Sequence, residues 1–153
     1  MSNEQTAPGE LDFTRVFDAP RELVFSCMID PAHLAHFWGP AGTSAPAERI
    51  HVDPRPGGVF ETVMVNDADG SEYPTRATYL EVTEPERLVW REELTGMTVT
   101  ATFADLGGAR TRVRIHQTNV PEMFRRPEAQ AGFLTSLDRF AAYLGRVSGA
   151  STP

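Results

Sequence analysis

The sequence predicts one α+β domain in which an antiparallel sheet of six to seven strands curls against a long final helix. Three observations lead there. Between residues 48 and 117, short runs of alternating apolar and polar residues are separated by turn residues, the period-two pattern of half-buried strands. Between 127 and 146 the spacing becomes helical, with Phe133, Leu137, Phe140 and Leu144 on one stripe and Asp138 and Arg139 opposite. The 153 residues suit a single domain, and a chain of that length buries roughly two-thirds of its unfolded surface, enough for one core with room for a cavity.

In chain order, residues 1–10 and 147–153 mix small polar residues with Pro and Gly and are expected as flexible tails around a domain at 11–146. Leu11, Phe13 and Phe17 alternate with Asp12 and Thr14 as a strand with one buried face. Asp18 or Ala19 then opens a short helix at Pro20, striped by Leu23, Val24, Phe25 and Met28. Asp30 caps a second helix that Pro31 starts and Gly39-Pro40 ends. The strands that follow are ERIHVD, GGVFETVMV, EYPTRATYLEVTE, ERLVWREEL, TVTATFA and RTRVRIHQT, with NDADG and LGG as turns. Gly132 costs the last helix about 1 kcal/mol relative to Ala, which suggests a close approach to sheet or ligand.

Composition narrows the function classes. A net charge of −7 argues against nucleic acid or an anionic membrane as partner. No apolar run approaches the about 18 residues that span a bilayer, so membrane insertion is not expected. The opening MSNEQTAPGE lacks the features of a secretory signal, which points to the cytoplasm. Cys27 cannot form an internal disulfide and sits among apolar residues, where a buried, inert thiol is expected.

The pieces RVFDAPRELVF (15–25), DPAHLAHFWGP (30–40), DPRPGGVFETVM (53–64), the DG turn at 69–70, YLEVTEPERLVW (79–90) and AGFLTSLDRFAAYL (131–144) resemble, in order, the bacterial proteins similar to the activator of the heat-shock-protein-90 ATPase. These belong to the START-like and birch-pollen-allergen-like superfamily. The resemblance implies a helix-grip fold, a seven-stranded sheet gripping the C-terminal helix over a cavity. It implies no single activity, since relatives carry lipids, sterols or antibiotics, catalyse cyclisation or hydrolysis, or sequester a toxic metabolite. The chain departs from the family in having Phe133 where Trp is usual and Ala77 where Gly is usual.

Strand parity selects the inward side chains: Phe60, Thr62 and Met64; Leu88, Trp90 and Glu92; Val113 and Ile115. With Trp38, Phe133, Leu137 and Phe140 they give an aromatic-rich lining, to which Tyr79 and Glu92 add polar contacts. Arg15 shares parity with Leu11, Phe13 and Phe17 and is expected to point inward, either paired with Glu92 or Glu81 or clamping the anionic group of a ligand. The expected ligand-binding set is therefore Arg15, Trp38, Phe60, Met64, Tyr79, Trp90, Glu92, Phe133, Leu137 and Phe140. His33 and His36 lie three apart without a third metal ligand and read as solvent-facing or helix-end residues. His116 shares the polar parity of Arg112 and Arg114, outside the cavity. No nucleophile motif, phosphate loop or cofactor fingerprint occurs, so no cofactor, metal or catalytic residue is assigned.

The reading favoured by the sequence is a binding module for a small apolar or amphipathic molecule, serving transport, sequestration or resistance. An enzyme of cyclase, hydratase or hydrolase type would use the same pocket, with Arg15, Glu92 or Tyr79 in polar roles. A co-chaperone of a heat-shock-protein-90 homologue is the third alternative, weighted low because only one domain is present. A homodimer is compatible with the sequence.

Overall fold

In the computed structural model, residues 9–150 are described, with side chains as far as 148. The tails expected at 1–8 and 151–153 lie outside the described residues. Residues 9 and 10 belong to the domain: Val120 N donates to Gly9 O at 2.8 Å, and Glu10 pairs with His116 at 3.1 Å.

The first strand, β1 (Leu11–Phe17), is where expected. α1 (Arg21–Cys27) begins after Pro20, whose fixed φ suits the entry, and no side chain caps it. α2 (Pro31–Leu34) is capped by Asp30, which accepts from Ala32 N at 2.9 Å, and its last turn continues to Trp38 through a bond to Leu34 O. Gly39 then turns the chain at φ 95°. A Cβ there would fall 2.6 Å from Thr43 Oγ1 and 2.9 Å from Met64 Sδ, so the position needs glycine twice over.

Two short strands follow, β2 (Thr43–Ser44) and β3 (His51–Val52). The first lies in a segment expected as loop. The second is shorter than the expected strand because a 3-10 turn at Ala47–Arg49 follows Pro46. The long meander is β4 (Val59–Asn66), β5 (Glu72–Thr83), β6 (Arg87–Glu92), β7 (Thr98–Gly107) and β8 (Arg110–Thr118). A 3-10 turn at Glu122–Arg125 leads into α3 (Pro127–Ala150). That helix runs four residues past the expected end, so 147–150 are helix rather than tail.

The eight strands form one curved antiparallel sheet in the order β1-β8-β7-β6-β5-β4-β2, with β3 on β4. This is the expected α+β helix-grip architecture, with one short strand, β2, beyond those read from sequence. Register brings inward residues into rows: Trp90 lies opposite Val99, Val99 opposite Gln117, and Gln117 opposite Leu11. A bulge between Tyr79 and Glu81 reverses parity along β5. Beyond it Val82 pairs with Leu88, Leu80 is exposed, and Glu81 bonds Arg87 at 3.0 Å.

The core joins α1, α2 and α3 to the concave face. Val24, Phe25 and Leu34 are fully buried, as are Leu88 and Leu144. Along α3, Phe133 meets Phe13 (centroids 4.6 Å apart) and Phe140 meets Phe17 (4.9 Å) and stacks on Phe37 (4.1 Å). Each such ring pair adds about 0.5–1.5 kcal/mol to burial of the stripe. The helix is thereby held along β1, leaving space between it and the middle of the sheet.

Candidate functional site

That space is a cavity of about 540 Å³. β1 contributes Leu11 and Phe13, the end of α2 contributes Phe37 and Trp38, and the sheet contributes Met64, Trp90, Met97, Val99, Val113 and Ile115. α3 closes it with Phe133, Leu137 and Phe140, while exposed Phe124 and Glu128 mark its outer rim. Gly132 also lines it. The nearest atom to a Cβ at Gly132 would be Pro40 Cβ at 3.9 Å, an ordinary contact, so the close approach to the sheet that the sequence suggested is not found, and Gly132 borders the cavity and the Pro40 loop.

Of the ten residues expected to bind ligand, Trp38, Met64, Trp90, Glu92, Phe133, Leu137 and Phe140 line this cavity. Phe60 and Tyr79 do not. Phe60 is buried against both indoles, edge-on to Trp38 at 5.2 Å and to Trp90 at 5.3 Å, and so positions the lining from behind. Tyr79 stacks on the far side of Phe60 at 5.7 Å. It is 1% exposed, and its hydroxyl has no hydrogen-bond partner among the described residues. Burial, with the charge of Asp53 adding to it, pushes the Tyr79 phenol well above its ordinary range.

Arg15 is on the expected face but not in the cavity. Phe133 over Phe13 and Phe140 over Phe17 bring α3 directly across β1, so the guanidinium between them reaches out beside the helix to Asp138 Oδ1 at 2.7 Å. The side chains are 34% and 65% exposed, so this is a surface pair. Glu81 cannot be its partner because the bulge turns it outward, and Glu92 lies across the sheet at the end of β6.

Two polar lining groups are informative. Glu92 ends β6 with its backbone N bonded to Met97 O, and burial pushes its carboxyl above the usual glutamate range, offset in part by the Thr95 hydroxyl. Gln117, on β8, was missed. It continues the inward series Val113, Ile115, and that parity was the signal that could have found it. It is 9% exposed and faces the cavity. Thr75 also lines the wall, its hydroxyl shared with Thr62 at 2.8 Å.

Of the two histidines expected to face solvent or sit at the helix end, His36 is exposed and His33 is half-buried, and both meet α3. His33 Nδ1 lies 2.5 Å from Tyr143 Oη, and His36 stacks on the Tyr143 ring at 4.8 Å. They pin α2 to α3. Among the described residues no three His, Cys, Asp or Glu side chains cluster as a metal site. His116 is on the outer parity, bonded to Glu10. Cys27 is buried, and desolvation, followed by the charge of Asp30, pushes its thiol up to about 12. No helix among the described residues is long and apolar enough to cross a membrane.

The family model described as "Activator of Hsp90 ATPase homolog 1-like protein" matches residues 18–145. No curated protein matches the chain. Among solved structures, a protein from Chromobacterium violaceum is 28% identical, with a TM-score of 0.78 over 88% of this chain and 96% of that one. A protein from Nitrosomonas europaea is 25% identical, with a TM-score of 0.80 over 95% and 99%. The AHSA1 protein of Silicibacter pomeroyi, at 24% identity and a TM-score of 0.73 over 89% and 97%, shares the fold.

Proposed function

Because this chain belongs to the activator of Hsp90 ATPase homolog 1-like family, whose fold sets no single activity, we propose that it binds a small, largely apolar molecule in the cavity between α3 and the sheet. The observation that carries this reading is the cavity itself. At about 540 Å³ it lies within the roughly 300–1,000 Å³ usual for small-molecule sites. Its wall is aromatic and aliphatic, with a few inward polar groups, which is the composition such sites share. Transport, sequestration or resistance in the cytoplasm would all use this one property.

Trp38 and Trp90 both line the cavity and report on it directly. Titration with the neutral dye Nile red should change tryptophan fluorescence saturably, and Ser136→Phe, which projects a ring into the cavity, should weaken binding by about tenfold or more. Absence of saturable binding by any apolar probe, or binding indifferent to Ser136→Phe in a folded protein, would overturn the reading. Mass spectrometry of molecules retained through purification identifies the natural ligand class.

One observation favours a second, enzymatic use of the same cavity. Glu92 is its one half-buried carboxyl, held protonated to higher pH than usual by burial, as a general acid would be. Turnover of a bound ligand that stops in Glu92→Gln while binding persists would support it.

A further inference from the structure

The cavity has a polarity that the family resemblance does not supply. Its ionisable lining groups are Glu92 and Glu128, both acids, and none of the chain's fourteen basic side chains lines it. Arginines beside its walls are already engaged: Arg125, next to Phe124, donates to Val120 O at 3.1 Å. Arg15 is held by Asp138, and Arg139 donates to Gly39 O at 2.8 Å and Pro40 O at 3.1 Å. A bound carboxylate would therefore leave water, meet no counter-charge, and face Glu92 as a like charge.

The polar end is built for the opposite sign. Gln117 is more than nine-tenths buried, and its carboxamide has no side-chain hydrogen bond among the described residues. Glu92 has no cation near it, and its carboxyl is held above the usual range chiefly by burial. Glu92 lies opposite Met97, just before β7, and Gln117 on β8 lies opposite Val99 of β7, so both line the concave face with β7 between them. An acid without a counter-charge, and a carboxamide whose oxygen can accept, thus share a largely apolar cavity.

Resting on the reading of the cavity as a binding site, we infer that its ligand is an amphipathic amine, its ammonium group donating to Glu92 while its hydrocarbon body lies among Phe13, Trp90, Phe133 and Leu137. An ammonium carries donors and no acceptor, and it supplies the charge that Glu92 lacks. Fatty acids and other anionic amphiphiles are selected against by the same wall.

The test uses three probes of equal chain length, decylammonium, decanol and decanoate, titrated at neutral pH into the intact protein and into Glu92→Gln, with binding read by tryptophan fluorescence and calorimetry. The expected order is decylammonium, then decanol, then decanoate, with about tenfold or more between the first and last. Glu92→Gln should weaken decylammonium by about 10- to 100-fold and decanol by less than about threefold. Decanoate binding as tightly as decylammonium overturns the inference. So does decylammonium affinity unchanged in Glu92→Gln, which would mark adhesion to the acidic surface. Equal binding of all three refutes the amine specificity and leaves the cavity reading intact, whereas failure of all three to bind refutes both. If Glu92→Gln does not fold, the head-group order in the unmodified protein decides alone.

Discussion

Replacing Arg15 by Met separates a surface role from a buried one. Met keeps an apolar stem of similar length on β1 and removes only the guanidinium. The pair with Asp138 is well formed at 2.7 Å, but its side chains are 34% and 65% exposed, so solvent screens it. An exposed pair of this kind contributes about 0.2–1 kcal/mol. For a domain of this size that corresponds to a fall in Tm of no more than about 4 °C. A double-mutant cycle with Asp138→Asn, measured by urea unfolding, should return a coupling in the same range. Raising the salt from about 0.1 to 1 M, which shortens the screening length from about 10 to 3 Å, should remove most of it. Decanoate and decylammonium affinities should stay unchanged, because Arg15 does not line the cavity. A coupling of about 3–5 kcal/mol that survives high salt would refute the reasoning, since only a desolvated pair behaves so.

Gly132→Ala should raise stability by about 1 kcal/mol in urea unfolding, because it removes a helix-interior glycine and its Cβ meets nothing closer than 3.9 Å; a loss of stability would show that the wall cannot take the methyl group. Tyr79→Phe removes a buried hydroxyl without a partner and should raise the unfolding free energy in urea by up to the roughly 1–3 kcal/mol that an unsatisfied polar group costs; a clear fall would mean the hydroxyl is hydrogen-bonded in solution. Cys27 titrates near 8.5 in an unfolded chain and at about 12 in the fold. The unfolded state therefore loses its proton first, and stability should be constant below the unfolded value and fall as pH rises between the two. Relative to Cys27→Ala, chemical denaturation across that window should show this slope, and an equal pH dependence of the two proteins would refute it.

Much of this was readable in one dimension because the cues are local. Pro31 after Asp30, the DG turn and the alternation along β4 and β8 act through a few bonds and through the fixed two-residue period of a strand. That period placed Phe60, Met64, Trp90 and Glu92 on the inner face, and the helical stripe placed Phe133, Leu137 and Phe140 opposite them. The family resemblance supplied the closure of sheet on helix.

Parity tells which face a side chain occupies, but not what lies above it, and there the tertiary structure decided. Arg15 and Glu92 share the concave side, yet α3 crosses directly over β1 and stands away from β6, so one meets Asp138 at the surface and the other meets a cavity. Phe60 and Tyr79 face inward and are still excluded from the lining, because Trp38 and Trp90 close in front of Phe60. Glu81 was lost as a candidate partner through a single bulge, which reverses every side chain beyond it and has no signature in the alternation of TYLEVT. The sign of the cavity emerged last. It depends on where fourteen arginines do not go, a property of the packed chain as a whole that no segment of sequence contains.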